Sequence, residues 1–188
     1  MKDLCNAYGF ESTRTPPASV AHLRAFMDAQ PTAVQRAFYT ISNYLAVDEL
    51  EASNHKSPLV FDRYYASTCA YTIGSAAGIT EDEIREMGAE AFRLPADLPE
   101  ADLTIILHCS DEVRRQRMQG RKVGNNMFEE RYESQKNLAS LVTCAYDRML
   151  TSASELPHKP WTIQVNADGG AATCVSEIAR LCTQKRIL

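Results

Sequence analysis

Apolar and polar residues along the chain switch between the helical period and short apolar runs. Leu4 to Ala7 read as the tail of a helix stopped at Gly9, and Phe10 to Thr15 as a short strand closed by Pro16-Pro17. A helix starting near Ala18 or Ser19, with Val20, Leu23 and Met27 on one face, is expected to end before Pro31. Thr32 and Gln35 have capping-box spacing and should open a longer helix with Val34, Ala37, Phe38, Ile41 and Leu45 as its apolar face. After the polar turn 54–57, Pro58-Leu59-Val60-Phe61-Asp62 is a short apolar run of the kind found in buried parallel strands. Thr80 and Glu83 form a second capping-box pair, and Leu103 to Cys109 make the clearest strand.

Ser110 and Asp111 can cap a helix running to about Gly120. A long helix is predicted over Phe128 to Leu150, with Leu138, Leu141, Val142, Ala145 and Met149 buried. Trp161 to Val165 is the last strand, and a closing helix aligns Val175, Ile178, Ala179 and Cys182. Strands alternating with helices predict an α/β fold with a parallel sheet covered on both faces. No repeat, linker or low-complexity stretch interrupts residues 1–188, so a single domain is expected. In such sheets ligands bind beyond the carboxyl ends of the strands, which directs attention to the residues that follow each one.

Asp62-Arg63-Tyr64 leaves the Leu59–Phe61 run. A carboxylate there can hold Mg²⁺ directly or through water, and the guanidinium can fork onto phosphate oxygens. An ion pair capping a turn is the plainer alternative. Arg114, Arg115, Arg117, Arg121 and Lys122 gather around Gly120. Cations following a strand could close over a polyphosphate, or form a solvated basic face opposite Glu129, Glu130 and Glu133. Phe38, Tyr64, Tyr65 and Tyr71 can stack on a base or simply fill a core. No Gly in the chain is followed by Lys. The phosphate-cradling G-x-x-x-x-G-K-[ST] loop is therefore missing from these residues.

Composition narrows these readings. A net charge of −4, 45% hydrophobic and 23% charged residues describe an ordinary globular chain and point to neither a nucleic-acid nor a membrane partner. No apolar run reaches the ~20 residues of a membrane span, and no targeting signal is visible. Six scattered cysteines without a C-x-x-C pair, and four dispersed histidines, fit a reducing, intracellular setting and no structural metal site.

Taken together, Asp62-Arg63-Tyr64, Ser67 and Ala70-Tyr71 are similar to the D-R-[YFH]-x-x-S-x-x-A-[YF] signature of thymidylate kinases. Further matches make the chain resemble the thymidylate-kinase-like domain of mitochondrial UMP-CMP kinases. They are Thr15-Pro16-Pro17-Ala18-Ser19, Arg36-Ala37-Phe38-Tyr39, Asn43-Tyr44, Ser57-Pro58, Gln119-Gly120-Arg121 and Tyr146-Asp147-Arg148-Met149.

The resemblance implies a P-loop kinase-like three-layer α/β/α parallel sheet, here lacking its usual first, central strand, with Met1 marking a shortened or alternative start. It implies Mg²⁺-dependent transfer of the ATP γ-phosphate to a pyrimidine (deoxy)nucleoside monophosphate of the CMP, UMP or dTMP class. Asp62 would be the Mg²⁺-associated carboxylate and Arg63 the ligand of the acceptor phosphate. Phe38 would stack on the acceptor base, with Ser67 and Tyr71 near its sugar or base. Arg117 and Arg121 would be lid arginines over ATP, and Asn166-Ala167 would lie against the adenine.

Ser42 stands where thymidylate kinases usually carry an Arg, which tilts the reading toward CMP, UMP or their deoxy forms. Without a P-loop these residues should be inactive or very slow. A non-catalytic nucleotide-binding remnant and a deoxynucleoside kinase are the alternatives. Small-molecule nucleotides are the expected partners, a homodimer is compatible with all of this, and the compartment would be mitochondrial or cytoplasmic.

Overall fold

The computed structural model describes residues 2–54, 57–120, 137–152 and 161–184, with the side chains of 118–120 and 161 left out of that description. Helix α1 (Lys2–Tyr8) ends at Gly9, whose φ of +68° is the left-handed turn that glycine adopts at little cost. Strand β1 (Glu11–Arg14) follows, then a 3₁₀ turn (Ala21–Leu23) and the short α2 (Arg24–Asp28). Next come α3 (Thr32–Ser53), β2 (Leu59–Asp62), α4 (Tyr65–Gly74) and α5 (Glu81–Glu86). The remaining elements are β3 (Leu103–His108), α6 (Asp111–Gly120), α7 (Leu138–Ser152), β4 (Trp161–Asn166) and α8 (Ala171–Gln184).

All strand pairing is parallel, as the alternation of elements predicts. β1 pairs with β2 from Glu11 opposite Leu59 to Arg14 opposite Asp62, and β3 pairs with β4 from Leu103 opposite Trp161 to His108 opposite Asn166. Among the described residues these are two separate two-stranded sheets. Apolar packing bridges them: Val60 of β2 and Leu103 and Ile105 of β3 share a cluster with Leu4, Val165, Ile178 and Cys182. Thus α1 and α8 cover one face of both strand pairs.

A second core joins α4, α5 and α7 through Ala70, Ile84, Leu138, Val142 and Ala145. Here α4 approaches α7 so closely that a Cβ on Gly74 would lie 2.7 Å from Val142 Cγ2 and 2.9 Å from its backbone nitrogen. Of the predicted buried stripe of α7, Leu138, Val142, Ala145 and Met149 are buried and Leu141 is half-buried. The expected start of that helix, over 128–136, lies outside the described residues.

Of the two capping boxes, one forms. Glu83 N–H donates to Thr80 Oγ1 at 3.3 Å while Thr80 N–H donates to Glu83 Oε2 at 2.9 Å. At α3 the box does not form, because Thr32 already lies inside the helix and Pro31 occupies the cap position. Gln35 instead turns back, its Nε2 donating to the carbonyls of Asp28 (2.8 Å) and Gln30 (2.6 Å), which ties α2 to α3.

The buried face of α3 also differs from the expected stripe. Val34 and Ile41 are exposed, at 43% and 57%, whereas Gln35, Phe38, Ser42, Asn43, Ala46 and Val47 are buried. A rotation of one residue, about 100° on a helix, separates the two faces. The polar members tolerate burial because Ser42 Oγ donates to the Phe38 carbonyl at 2.8 Å and Asn43 Nδ2 donates to Thr68 Oγ1 at 3.1 Å.

Candidate functional site

The carboxyl ends of β1 and β2 open onto a cleft. Thr15 enters it directly after β1, and Arg24 enters from α2. Thr32, Gln35, Arg36 and Tyr39 face it from α3 at i, i+3, i+4 and i+7 spacing, one continuous helical face. Arg63 follows β2, and Ser67, Tyr71 and Ser75 line the opposite wall along α4, with Leu138 of α7 beside them. Among the described residues, three guanidinium groups share this lining and no Asp or Glu does. Such a cleft favours an anion with an uncharged, hydrogen-bonding body.

Arg63 is placed by an unusual backbone. Its φ is +64°, a region costly for a residue with a Cβ. The turn directs its side chain onto α4, where Nη1 donates to Ser67 Oγ at 3.3 Å and the guanidinium lies 5.5 Å from the Tyr71 ring centroid. Desolvation by the cleft wall opposes its charge, but Tyr71, Tyr146 and Asp62 outweigh that effect and raise its pKa. Arg63 therefore stays a fixed cation. Asp62 itself is exposed at the end of β2, and its carbonyl accepts from Thr15 N–H at 3.2 Å, which closes the base of the cleft.

The α2–α3 wall rests on a buried ionisable group. Asp28 is 1% exposed and accepts a hydrogen bond from the Tyr39 hydroxyl at 2.7 Å on Oδ1. Its Oδ2 lies 3.5 Å from Arg24 Nε without hydrogen-bond alignment. Burial, and then the Asp28 contact, push the Tyr39 pKa upward, so the phenol remains neutral. Arg36 binds the far wall: its Nε and Nη2 donate to Ser75 Oγ at 3.3 and 3.1 Å.

A different arrangement stands at the ends of β3 and β4. Asn166 Oδ1 accepts from Asp168 N–H at 2.7 Å, Ala167 N–H donates to the His108 carbonyl at 2.7 Å, and Asp168 Oδ1 accepts from Ser110 N–H at 2.8 Å. Arg117 Nη2 from α6 donates to the carbonyls of Ala167 (2.6 Å) and Asp168 (3.3 Å). The turn and its arginine form one tied unit.

Of the residues singled out in the sequence, Arg63, Ser67 and Tyr71 meet in the cleft, with Asp62 beside them. Arg117, Asn166 and Ala167 meet one another at the other pair of strand ends and do not line the cleft. Arg121 lies outside the described residues. Phe38 is 8% exposed, absent from the cleft lining, and packed edge-on against Tyr39 with ring centroids 5.3 Å apart. Phe38 lies on the buried face of α3, and its neighbour Tyr39, one residue round the helix, lines the cleft. Sequence reasoning passed over Arg24, Arg36, Asp28 and Tyr39 as site residues. The signal that could have found them was the spacing Thr32-Gln35-Arg36-Tyr39, a polar helical face obscured by the apolar residues next to it.

Among the described residues no three His, Cys, Asp or Glu side chains gather to hold a metal ion. A lone terminal carboxylate such as Asp62 fits Mg²⁺, which keeps its waters and takes phosphate oxygens, better than a metal needing an all-protein cage. No helix among the described residues is long and apolar enough to cross a membrane.

The geometry agrees with the comparisons with known proteins. UMP-CMP kinase 2, mitochondrial, of Homo sapiens is 32% identical over 136 residues, covering 72% of this chain and 30% of that protein, so the chain spans less than a third of its relative's length. The thymidylate kinase family model matches residues 5–158, a stretch that includes the cleft and runs past the close of α7. The fold is a P-loop kinase-like α/β arrangement, and the chain belongs to the thymidylate kinase family.

Proposed function

We propose that this chain carries the acceptor side of a nucleoside monophosphate kinase that moves the ATP γ-phosphate to a pyrimidine (deoxy)nucleoside monophosphate. The convergence of Arg24, Arg36 and Arg63 on a cleft that no carboxylate among the described residues lines, beside Tyr39 and Tyr71, carries the reading. Arg63 holds the acceptor phosphate, and Tyr39 and Tyr71 flank its base and sugar, with Ser67 fixing Arg63. An acceptor phosphate oxygen attacks the γ-phosphorus in line, the bond from that phosphorus to the β–γ bridging oxygen breaks, and ADP leaves. The chain's task is to align the acceptor and screen its charge.

Asp62 would hold Mg²⁺ through water. Bound with ATP, the ion supplies neutralisation of phosphate charge. Arg117 and the Asn166-Ala167 turn would meet the donor nucleotide, with Arg121 as a second lid cation. No G-x-x-x-x-G-K-[ST] occurs in these residues. Each charge-assisted hydrogen bond that such a loop gives to phosphate is worth about 1.5–3 kcal/mol, so these residues alone bind an acceptor and turn over very slowly. The mitochondrial relative supports a mitochondrial site of action.

A coupled ADP-release assay tests this on the 188-residue chain and on a form extended upstream through a P-loop, with nucleosides and monophosphates as acceptors. Monophosphate-dependent turnover restricted to the extended form is expected. Turnover on nucleosides would favour a deoxynucleoside kinase instead. Binding without turnover in both forms would leave a nucleotide-binding remnant.

A further inference from the structure

We infer that Thr15 is a further residue of the acceptor site, a hydroxyl held in reserve that turns to donate to an oxygen of the acceptor's phosphate. The inference rests on the acceptor reading above and deepens it by adding a phosphate ligand outside the Asp62-Arg63-Tyr64 segment. Thr15 lines the cleft and is 6% exposed, and its Oγ1 is buried with no hydrogen-bond partner. Other buried hydroxyls of the fold are paired. Ser42 Oγ donates to the Phe38 carbonyl at 2.8 Å and Ser152 Oγ to that of Met149 at 3.1 Å. Among the described residues Thr15 alone keeps a buried hydroxyl unsatisfied. A hydroxyl left so carries its full desolvation cost, which a valine of the same shape would avoid. Packing therefore gives no reason for a threonine here.

Its place in the fold gives one. β1 and β2 run parallel and end in register, Arg14 opposite Asp62, so the residues that leave them, Thr15 and Arg63, start side by side on strands about 4.8 Å apart. Thr15 N–H donates to the Asp62 carbonyl at 3.2 Å, which fixes the backbone beneath the side chain. The hydroxyl and methyl of a threonine exchange places by a rotation of about 120° around Cα–Cβ. The hydroxyl can therefore turn to the cleft that this residue lines without any shift of the strand. A second buried donor in the lining, Arg24 Nε, also lacks a hydrogen-bond acceptor, with Asp28 Oδ2 3.5 Å away and out of alignment. Among the described residues the lining holds three guanidinium groups, which only donate, and no carboxylate. What enters must bring acceptors, and beside Arg63 those are the phosphate oxygens. Thr15 Oγ1 then donates to one of them, a charge-assisted bond that replaces no bond within the protein.

Thr15→Val, which replaces the hydroxyl by a methyl at nearly unchanged volume, separates this role from a structural one in the 188-residue chain. Titration calorimetry should show affinity for UMP and for CMP falling about 10-fold or more, while the urea midpoint measured without nucleotide stays level or rises. Thr15→Ser, which restores a hydroxyl, should recover most of that affinity. Unchanged affinity in Thr15→Val, or a loss that Thr15→Ser does not recover, overturns the inference. So does a lowered midpoint or a failure to fold, since either would mean that the hydroxyl has a structural partner. Arg63→Gln, measured alongside, should weaken both nucleotides, and where it does the acceptor reading stands whatever Thr15 shows. Failure of the 188-residue chain to bind UMP and CMP, or indifference of that binding to Arg63→Gln, overturns the acceptor reading and this inference with it.

Discussion

After β2 the backbone enters the left-handed region at Arg63 and sends a cation into a cleft that, among the described residues, holds two more arginines and no carboxylate. After β4 the turn 166–168 is tied to β3, to the start of α6 and to Arg117 through hydrogen bonds of 2.6–3.3 Å. Both are strand ends of parallel pairs, yet the first gathers its arginines around a cleft and the second closes its polar groups on one another. On the proposed kinase reading, the first receives the acceptor. The second is a brace whose binding surface must come from groups brought to it. A nucleotide-transferring fold needs both, because one reactant must be captured and the other held in register with it.

The sharpest way to break this contrast is to exchange the two arginines' roles. Arg63→Gln should weaken monophosphate binding by about 1.5–3 kcal/mol, roughly 10- to 150-fold, with the melting temperature little changed. Equal weakening by Arg117→Gln, measured by calorimetry, would mean that the two strand ends act as one site. Gly74→Ala comes next. The added Cβ meets Val142 at 2.7 Å, including backbone that cannot swing away, so a loss of about 1–3 kcal/mol in urea unfolding is expected. Because α4 carries Ser67, Tyr71 and Ser75, monophosphate affinity should fall with it. Unchanged stability would show that the α4–α7 contact relaxes freely.

Tyr39→Phe removes the donor to Asp28 Oδ1 and leaves a buried carboxylate oxygen short of a partner, at a cost of about 1–2 kcal/mol. Asp28→Asn in the same background should recover part of that loss; an additive double mutant would argue against a direct coupling.

The smallest effect is a pH dependence. Burial pushes the Cys69 thiol from 9.0 up to about 11. The folded chain then keeps a proton that the unfolded chain releases above its ordinary value. Stability from this group is intact below pH 9.0 and declines as pH rises toward about 11. Urea midpoints across that window should fall, and less steeply in Cys69→Ala. An identical slope in the variant would remove Cys69 from the account.

How much of this was legible beforehand depended on what set each feature. Strands β2, β3 and β4 were readable because short apolar runs between turn residues have few alternative structures, and the Thr80–Glu83 box because both of its partners are local. The face of α3 was not. Its buried face carries polar residues, such as Asn43, whose Nδ2 donates to Thr68 Oγ1, so an apolar-stripe reading pointed to Val34 and Ile41, which are exposed. Phe38 is buried on that helix, while Tyr39 lines the cleft. Arg63 and Tyr71 were legible because they follow a strand end directly, whereas Ser67 came only with the family resemblance. Arg24 and Arg36 were missed because only the packing of α2 and α3 against α4 brings them in.

One more consequence follows from the backbone at Arg63. Glycine is the residue that would make that turn with least resistance, and Arg63→Gly should fold at least as readily. It would also empty the cleft of its anchoring cation. A search for a hardier protein that scored melting temperature alone would therefore be drawn to this position and would select variants with nothing left to catch.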